Sequence, residues 1–176
     1  DLAQAMAMLA VALWFTHVRR LALPDALLPT ANGALRIAGA IGFIVLNGVL
    51  LRALQYAQTF GYTVWLRPQD PHLGKGGTAH SGPLASRLGL SGVPVISETI
   101  ALHTIFELMR TTGARIHLCR LSSAAGIALV RAAKAEGLPV SCDVGAHHVH
   151  LTDNDIGFFD SNARLSPPLR SQRDRD

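Results

Sequence analysis

The chain has a rhythm. Three stretches that read as strands begin at Val93, Arg115 and Leu138, so their starts are 22 and 23 residues apart. That spacing holds one strand, one helix of three or four turns and two tight connections. Strands repeated at this interval with helices between them must run parallel, joined by right-handed crossovers. In detail, Val93-Pro94-Val95-Ile96 is read as a strand. Ser97 then caps a helix with Leu102, Ile105, Phe106 and Met109 on one face, and Gly113 ends it. Arg115–Cys119 is the next strand. Ser122 or Ser123 caps a helix with Leu129, Val130 and Ala133 turned inward, ended by Gly137, and Leu138–Cys142 is a strand again. Upstream, Asn47 is placed as the N-cap of a helix carrying Leu50, Ala53, Leu54 and Ala57, stopped at Gly61. Tyr62–Leu66 is a β-branched and aromatic strand, and residues 67–82 form a polar loop rich in Pro and Gly.

Length limits what this rhythm can build. A closed eightfold barrel of such units needs at least about 200 residues, and the chain has 176. The expectation is a partial or shortened barrel. Residues 47–176 are read as its βα units. Residues 1–46 do not share the rhythm; one helix within 2–20 and a strand near 40–46 are the readings made there.

With 49% hydrophobic and 16% charged residues, the chain is a globular one. Its net charge is +4. The basic residues are scattered, and the closest group, Arg170, Arg173 and Arg175, alternates with Asp174 and Asp176. No basic stripe with interleaved aromatics is present, which argues against a nucleic-acid partner. The apolar runs Leu2–Phe15 and Ile37–Leu51 are both shorter than the roughly 18–20 residues a spanning helix needs. The first lacks the basic flank and cleavage site of a signal peptide. No membrane association is expected, and the location expected is cytoplasmic. Cys119 and Cys142 show no CxxC spacing and are read as buried, reduced thiols.

Two local motifs invite chemistry. Gly74-Lys75-Gly76-Gly77-Thr78 suggests a phosphate loop but departs from GxxxxGK[ST], and a mobile loop is the preferred account. In a strand, His148 and His150 would share a face and could bind zinc, with Asp143 or Asp153 as a third ligand. A packing role for His147 and His148 is preferred.

From about residue 48 onward the chain resembles the dihydroorotases of the amidohydrolase superfamily. The segments that carry the resemblance include Arg67-Pro68-Gln69-Asp70, Leu88-Gly89-Leu90-Ser91-Gly92-Val93-Pro94, Thr112-Gly113-Ala114-Arg115-Ile116-His117, His117-Leu118-Cys119-Arg120-Leu121-Ser122-Ser123, Ala133-Lys134-Ala135-Glu136-Gly137, His147-His148-Val149-His150-Leu151-Thr152 and Pro167-Pro168-Leu169-Arg170. The resemblance implies an amidohydrolase-type (β/α)8 barrel.

The departures from that pattern bear on function. In the family, the positions of Arg67 and Arg120 hold histidines that bind zinc, and the position of Ser166 holds a substrate-binding Asn. The His-x-His pair of the first strand has one counterpart at most, His17 in Thr16-His17-Val18-Arg19. The bridging lysine has none, because Lys75 falls in a loop and Lys134 on a helix. The last catalytic aspartate of the family would lie beyond Asp176, and the ending Arg173-Asp174-Arg175-Asp176 reads as that of a fragment. A guanidinium stays protonated and has no lone pair for a metal. The two arginines are therefore expected to fill the vacated place and pair with Asp70 or Asp143. Without metal there is neither activated water nor a Lewis acid. The pattern is similar to that of the non-catalytic dihydroorotase-like subunits. The resemblance implies an oligomeric scaffold for the catalytic subunit of aspartate carbamoyltransferase in pyrimidine synthesis, with no cofactor. The alternatives are an active zinc-dependent dihydroorotase and a truncated remnant, the latter with exposed sheet edges.

Overall fold

The computed structural model describes residues 47–176. The helix read within 2–20, the strand near 40–46 and His17 lie outside the described residues. Gly48–Asp176 form one structural unit.

In chain order the elements are helix α1 (47–59), strand β1 (Thr63–Leu66), strand β2 (Ala79–His80), helix α2 (Pro83–Leu88), strand β3 (Gly92–Val93), helix α3 (Ile96–Thr112), strand β4 (Arg115–Leu121), helix α4 (Ala124–Ala135), strand β5 (Val140–Val144) and helix α5 (Ala146–His150). Two short 3-10 turns, Asp153–Ile156 and Ser161–Ala163, precede the terminal helix α6 (Gln172–Arg175).

Strands β1, β4 and β5 form one parallel sheet in that order. The pleat sends alternate side chains to opposite faces. Val64 and Leu66 of β1, Ile116 and Leu118 of β4, and Val140 and Cys142 of β5 join a core with α1, α3 and α4. The helices meet them with Leu54, Leu102, Ile105, Phe106, Met109, Val130 and Ala133, all buried. The 3–4 spacing of the α3 residues is the reason that helix forms and docks. It ends as read from the sequence: Gly113 adopts φ 69°, and its N–H reaches the Met109 carbonyl at 2.7 Å. Ser123, not Ser122, caps α4, its Oγ accepting the Gly126 N–H at 3.0 Å.

Four sequence readings are corrected. Val93–Ile96 is not a strand of the main sheet. Only Gly92–Val93 is extended, and it pairs with β2 in a separate parallel pair. The chain then turns at Val95, which has helical dihedrals and precedes α3 without a side-chain cap. Ser97 is already inside the helix, donating its hydroxyl to the Pro94 carbonyl at 2.9 Å. Residues 67–82 are not all loop, since they contain β2. Asn47 is itself helical, so it is not the N-cap of α1.

Candidate functional site

The two arginines that the sequence resemblance assigns to family ligand positions leave the same end of the sheet. Arg67 follows the last residue of β1, and Leu66 is level with Leu118 of the neighbouring β4. Between Leu118 and Leu121 the pairing of β4 with β5 slips, and within that irregularity Arg120 takes φ 57°. A bulge of this kind re-aims the side chain it carries. Both arginines then reach one residue. Arg67 Nη2 donates to Ser166 Oγ at 2.7 Å and to Gln69 Oε1. Arg120 Nη1 donates to the Ser166 carbonyl at 3.2 Å. Three positions far apart in sequence thus converge at the C-terminal ends of parallel strands, where barrel enzymes place their sites.

The carboxylate pairing expected for these arginines is not what forms. Asp70 turns its Oδ1 onto the N–H groups of His72 and Leu73, at 2.8 and 2.9 Å. Asp143 accepts the backbone N–H of Arg120 at 2.7 Å and meets His117 Nε2 at 3.0 Å. Backbone and imidazole donors are nearer to these carboxylates than either guanidinium. Among the described residues, both arginine side chains therefore have only neutral hydrogen-bond partners. Burial and the neighbouring Arg120 charge hold the Arg67 pKa below its ordinary value, against a weaker pull from Glu98. The Arg120 N–H and then His117 hold the Asp143 carboxyl below its usual range. A zinc ion does not fit between these residues, because both guanidiniums are permanent cations without a lone pair and are engaged with Ser166.

The face of the sheet away from the helices carries Trp65, His117 and Ser141 in register across β1, β4 and β5. The His117 ring lies 4.5 Å from that of Trp65, and its Nδ1 is 2.8 Å from Ser141 Oγ. One ligand atom each of His117, Cys119 and Asp143 lie within 4.8 Å of one another. These are donor types that zinc accepts, but Ser141 and the His117–Asp143 contact already account for the His117 nitrogens. Cys119 and Cys142 are both free and half-buried rather than fully enclosed. The sequence reading did not single out this trio. Its only local signal is the alternation of His117 and Cys119 on one strand.

The reading also missed a buried polar network behind the arginines. Glu98 lies in the first turn of α3 and is 3% exposed. Its two oxygens accept the backbone N–H and hydroxyl of Ser122 and of Ser123, the hydroxyls at 2.6 Å. Arg170, also buried, donates through Nε to Ser122 Oγ at 3.1 Å and through Nη1 to the Val93 carbonyl at 2.7 Å. His80 Nδ1 lies 3.3 Å from that Nη1. The network joins β3, α3, the end of β4 and the segment before α6.

The proposed pair His148 and His150 does not form. Both lie on helix α5, not on a strand. Residues two apart on a helix point to nearly opposite sides, and here His148 is buried while His150 is exposed. Neither is brought to Asp153, which is buried with its backbone N–H on the Arg170 carbonyl. His148 lies with its Nε2 3.2 Å from the Pro168 carbonyl, and its buried Nδ1 has no partner among the described residues. Such an arrangement suits a neutral imidazole.

Burial, only partly offset by the Pro168 carbonyl, depresses the His148 pKa. Burial and then Arg170 do the same at His80. The unfolded chain therefore takes up protons at these rings before the fold does. Stability is full above about pH 6.5 and declines as pH falls toward the folded values. We expect urea midpoints to be flat from about pH 7 to 8 and to fall between about pH 6.5 and 5. His80→Gln and His148→Gln should each flatten that fall. Midpoints unchanged over the same interval would refute the assignment.

Comparison with solved structures defines the class of fold. The chain is similar to L-hydantoinase (dihydropyrimidinase) from Arthrobacter aurescens, with TM-score 0.63 and 21% identity over 73% of this chain and 29% of that one. It is similar also to the dihydroorotase of Campylobacter jejuni, with TM-score 0.50 and 10% identity over 70% of this chain and 30% of that one. The described unit is thus part of an amidohydrolase-type α/β barrel. Among curated proteins, a "Dihydroorotase-like protein" of Pseudomonas aeruginosa is 45% identical over 149 residues, 81% of this chain and 35% of its own length. That of Pseudomonas putida is 42% identical over the same shares. A "Dihydroorotase" of Pelotomaculum thermopropionicum is 37% identical over 148 residues, again 81% and 35%. The chain belongs to the dihydroorotase family, and it spans about a third of the length of these relatives. No family model matches the chain. Among the described residues, no helix is long and apolar enough to cross a membrane.

Proposed function

We propose that the chain is part of a non-catalytic dihydroorotase-like protein. In this reading it acts in the cytoplasm as an oligomeric scaffold for the catalytic subunit of aspartate carbamoyltransferase, in de novo pyrimidine synthesis. The observation that supports it is the pair Arg67 and Arg120, both bonded to Ser166 where the family has two metal ligands and a substrate contact. A scaffold needs the barrel's outer surface and not its metal, so the loss of ligands with retention of the fold is the pattern such a role permits. Two relatives named "Dihydroorotase-like protein" are in keeping with it. Relatives named "Dihydroorotase" keep zinc-dependent hydrolysis as the alternative.

The test is made on the complete protein, purified without a histidine tag or chelator. Plasma mass spectrometry is expected to find zinc far below stoichiometric, dihydroorotate hydrolysis to be absent, and sedimentation with the carbamoyltransferase catalytic subunit to give a joint complex. Stoichiometric zinc with chelator-sensitive hydrolysis would establish the alternative. A lack of complex formation would remove the scaffold role.

A further inference from the structure

We infer that Arg67 and Arg120, with Ser166 between them, form a binding site for a small oxyanion, a carboxylate- or phosphate-bearing molecule. The inference goes beyond the scaffold reading and does not depend on any protein partner.

Three observations carry it. The first is convergence. Two permanent cations, one just after β1 and one within β4, meet on a single residue, one at its hydroxyl and one at its carbonyl. The second is the lack of a bonded counter-charge: Glu98 acts on Arg67, and Asp143 on Arg120, only through space. Asp143 and Asp70, the acids expected to neutralise them, are held by backbone N–H groups and His117 instead. Bringing two guanidiniums together with only neutral hydrogen-bond partners is unfavourable, and the effect of Arg120 on Arg67 reflects this opposition. An anion seated between them would relieve it. The third is unused donor capacity. Each guanidinium has five N–H donors. Among the described residues, Arg67 uses Nη2 and Arg120 uses Nη1, and both residues are exposed. The fork of N–H groups that remains on each matches the paired oxygens of a carboxylate or phosphate.

The backbone supports the arrangement. The irregularity in β4 and the positive φ of Arg120 direct that residue to Ser166. Conformations of this kind persist where the surroundings over-determine them and cluster at ligand sites. The site therefore has the opposite polarity to a metal centre, in the same place at the strand ends.

The test is titration calorimetry on the full chain with succinate and, separately, inorganic phosphate, at fixed ionic strength. Saturable binding at about 1 mM or tighter is expected for at least one of them. The stronger of the two distinguishes a carboxylate from a phosphate ligand. Arg67→Gln and Arg120→Gln should each weaken it at least about tenfold, with unchanged circular dichroism. Arg87→Gln removes the same charge from exposed α2 and should leave affinity unaltered. Absence of saturable binding for both anions, or equal weakening by Arg87→Gln, would overturn the inference.

Discussion

Glu98→Ala is expected to cost about 2–6 kcal/mol of folding stability, since it leaves two buried backbone donors unsatisfied at roughly 1–3 kcal/mol each. The carboxylate is 3% exposed and accepts four hydrogen bonds, from the N–H and hydroxyl of both Ser122 and Ser123. Its charge also supports that of Arg170, which is 3% exposed and linked to it through Ser122. Truncation leaves two buried backbone donors without an acceptor and Arg170 with Asp174 as its remaining acidic neighbour. Each such donor is costly in a medium that cannot replace the lost partner. The measurement is urea unfolding followed by far-ultraviolet circular dichroism. Arg170→Met in the Glu98→Ala background should recover part of the loss, because it removes the buried charge. A loss below about 1 kcal/mol, typical of a surface hydrogen bond, would mean that water reaches this network and that the burial argument is wrong.

Gly126→Ala is expected to destabilise by about 1–3 kcal/mol, the range for forced overpacking. This reverses the usual sign, since glycine to alanine inside an exposed helix gains up to about 1 kcal/mol. The reason is the same carboxylate. A Cβ on Gly126 would collide with Glu98 Oε1 and come within 3.1 Å of Ser123 Oγ, the capping oxygen of α4. Oε1 cannot swing aside without releasing the Ser123 N–H and hydroxyl. The two predictions are therefore coupled. In a double-mutant cycle, most of the Gly126→Ala cost should vanish once Glu98 is alanine, an interaction energy of roughly 1 kcal/mol or more. Additive costs would place the strain elsewhere in α4.

The elements with strong local patterns were legible in the chain. Helix α3 follows from Leu102, Ile105, Phe106 and Met109 and from the glycine after it. Strands β4 and β5 follow from their composition and their spacing. Legibility failed where a partner decides. The run Val93–Ile96 has the composition of a strand, yet its pairing with β2 ends after Val93 and leaves the next residues to enter α3. The histidines at 148 and 150 show an alternation that a strand would use, but the chain after Gly145 closes into a helical turn.

The candidate site divides in the same way. That Arg67 and Arg120 cannot serve a metal follows from the guanidinium itself, whatever the fold. Where the two charges go could not be read from the chain. The sequence pointed to Asp70 and Asp143, but local backbone geometry claims both acids first. Glu98 gave no signal at all, because an acid in the first turn of a helix reads as an ordinary dipole partner. Its role exists only once α3, the end of β4 and the segment reaching Arg170 are folded together.

The sequence by itself determined the parallel βα character of residues 47–176, the inward faces of α3 and α4, and that the guanidiniums of Arg67 and Arg120 offer no lone pair to a metal. These depend on local periodicity and on functional-group chemistry, which act at any stage of folding. Only the tertiary structure decided that Arg67, Arg120 and Ser166 meet, that Glu98 and Arg170 are buried together, and that His148 and His150 part. Those outcomes depend on which distant strands pair and which donors arrive first at each carboxylate, and no local pattern encodes either.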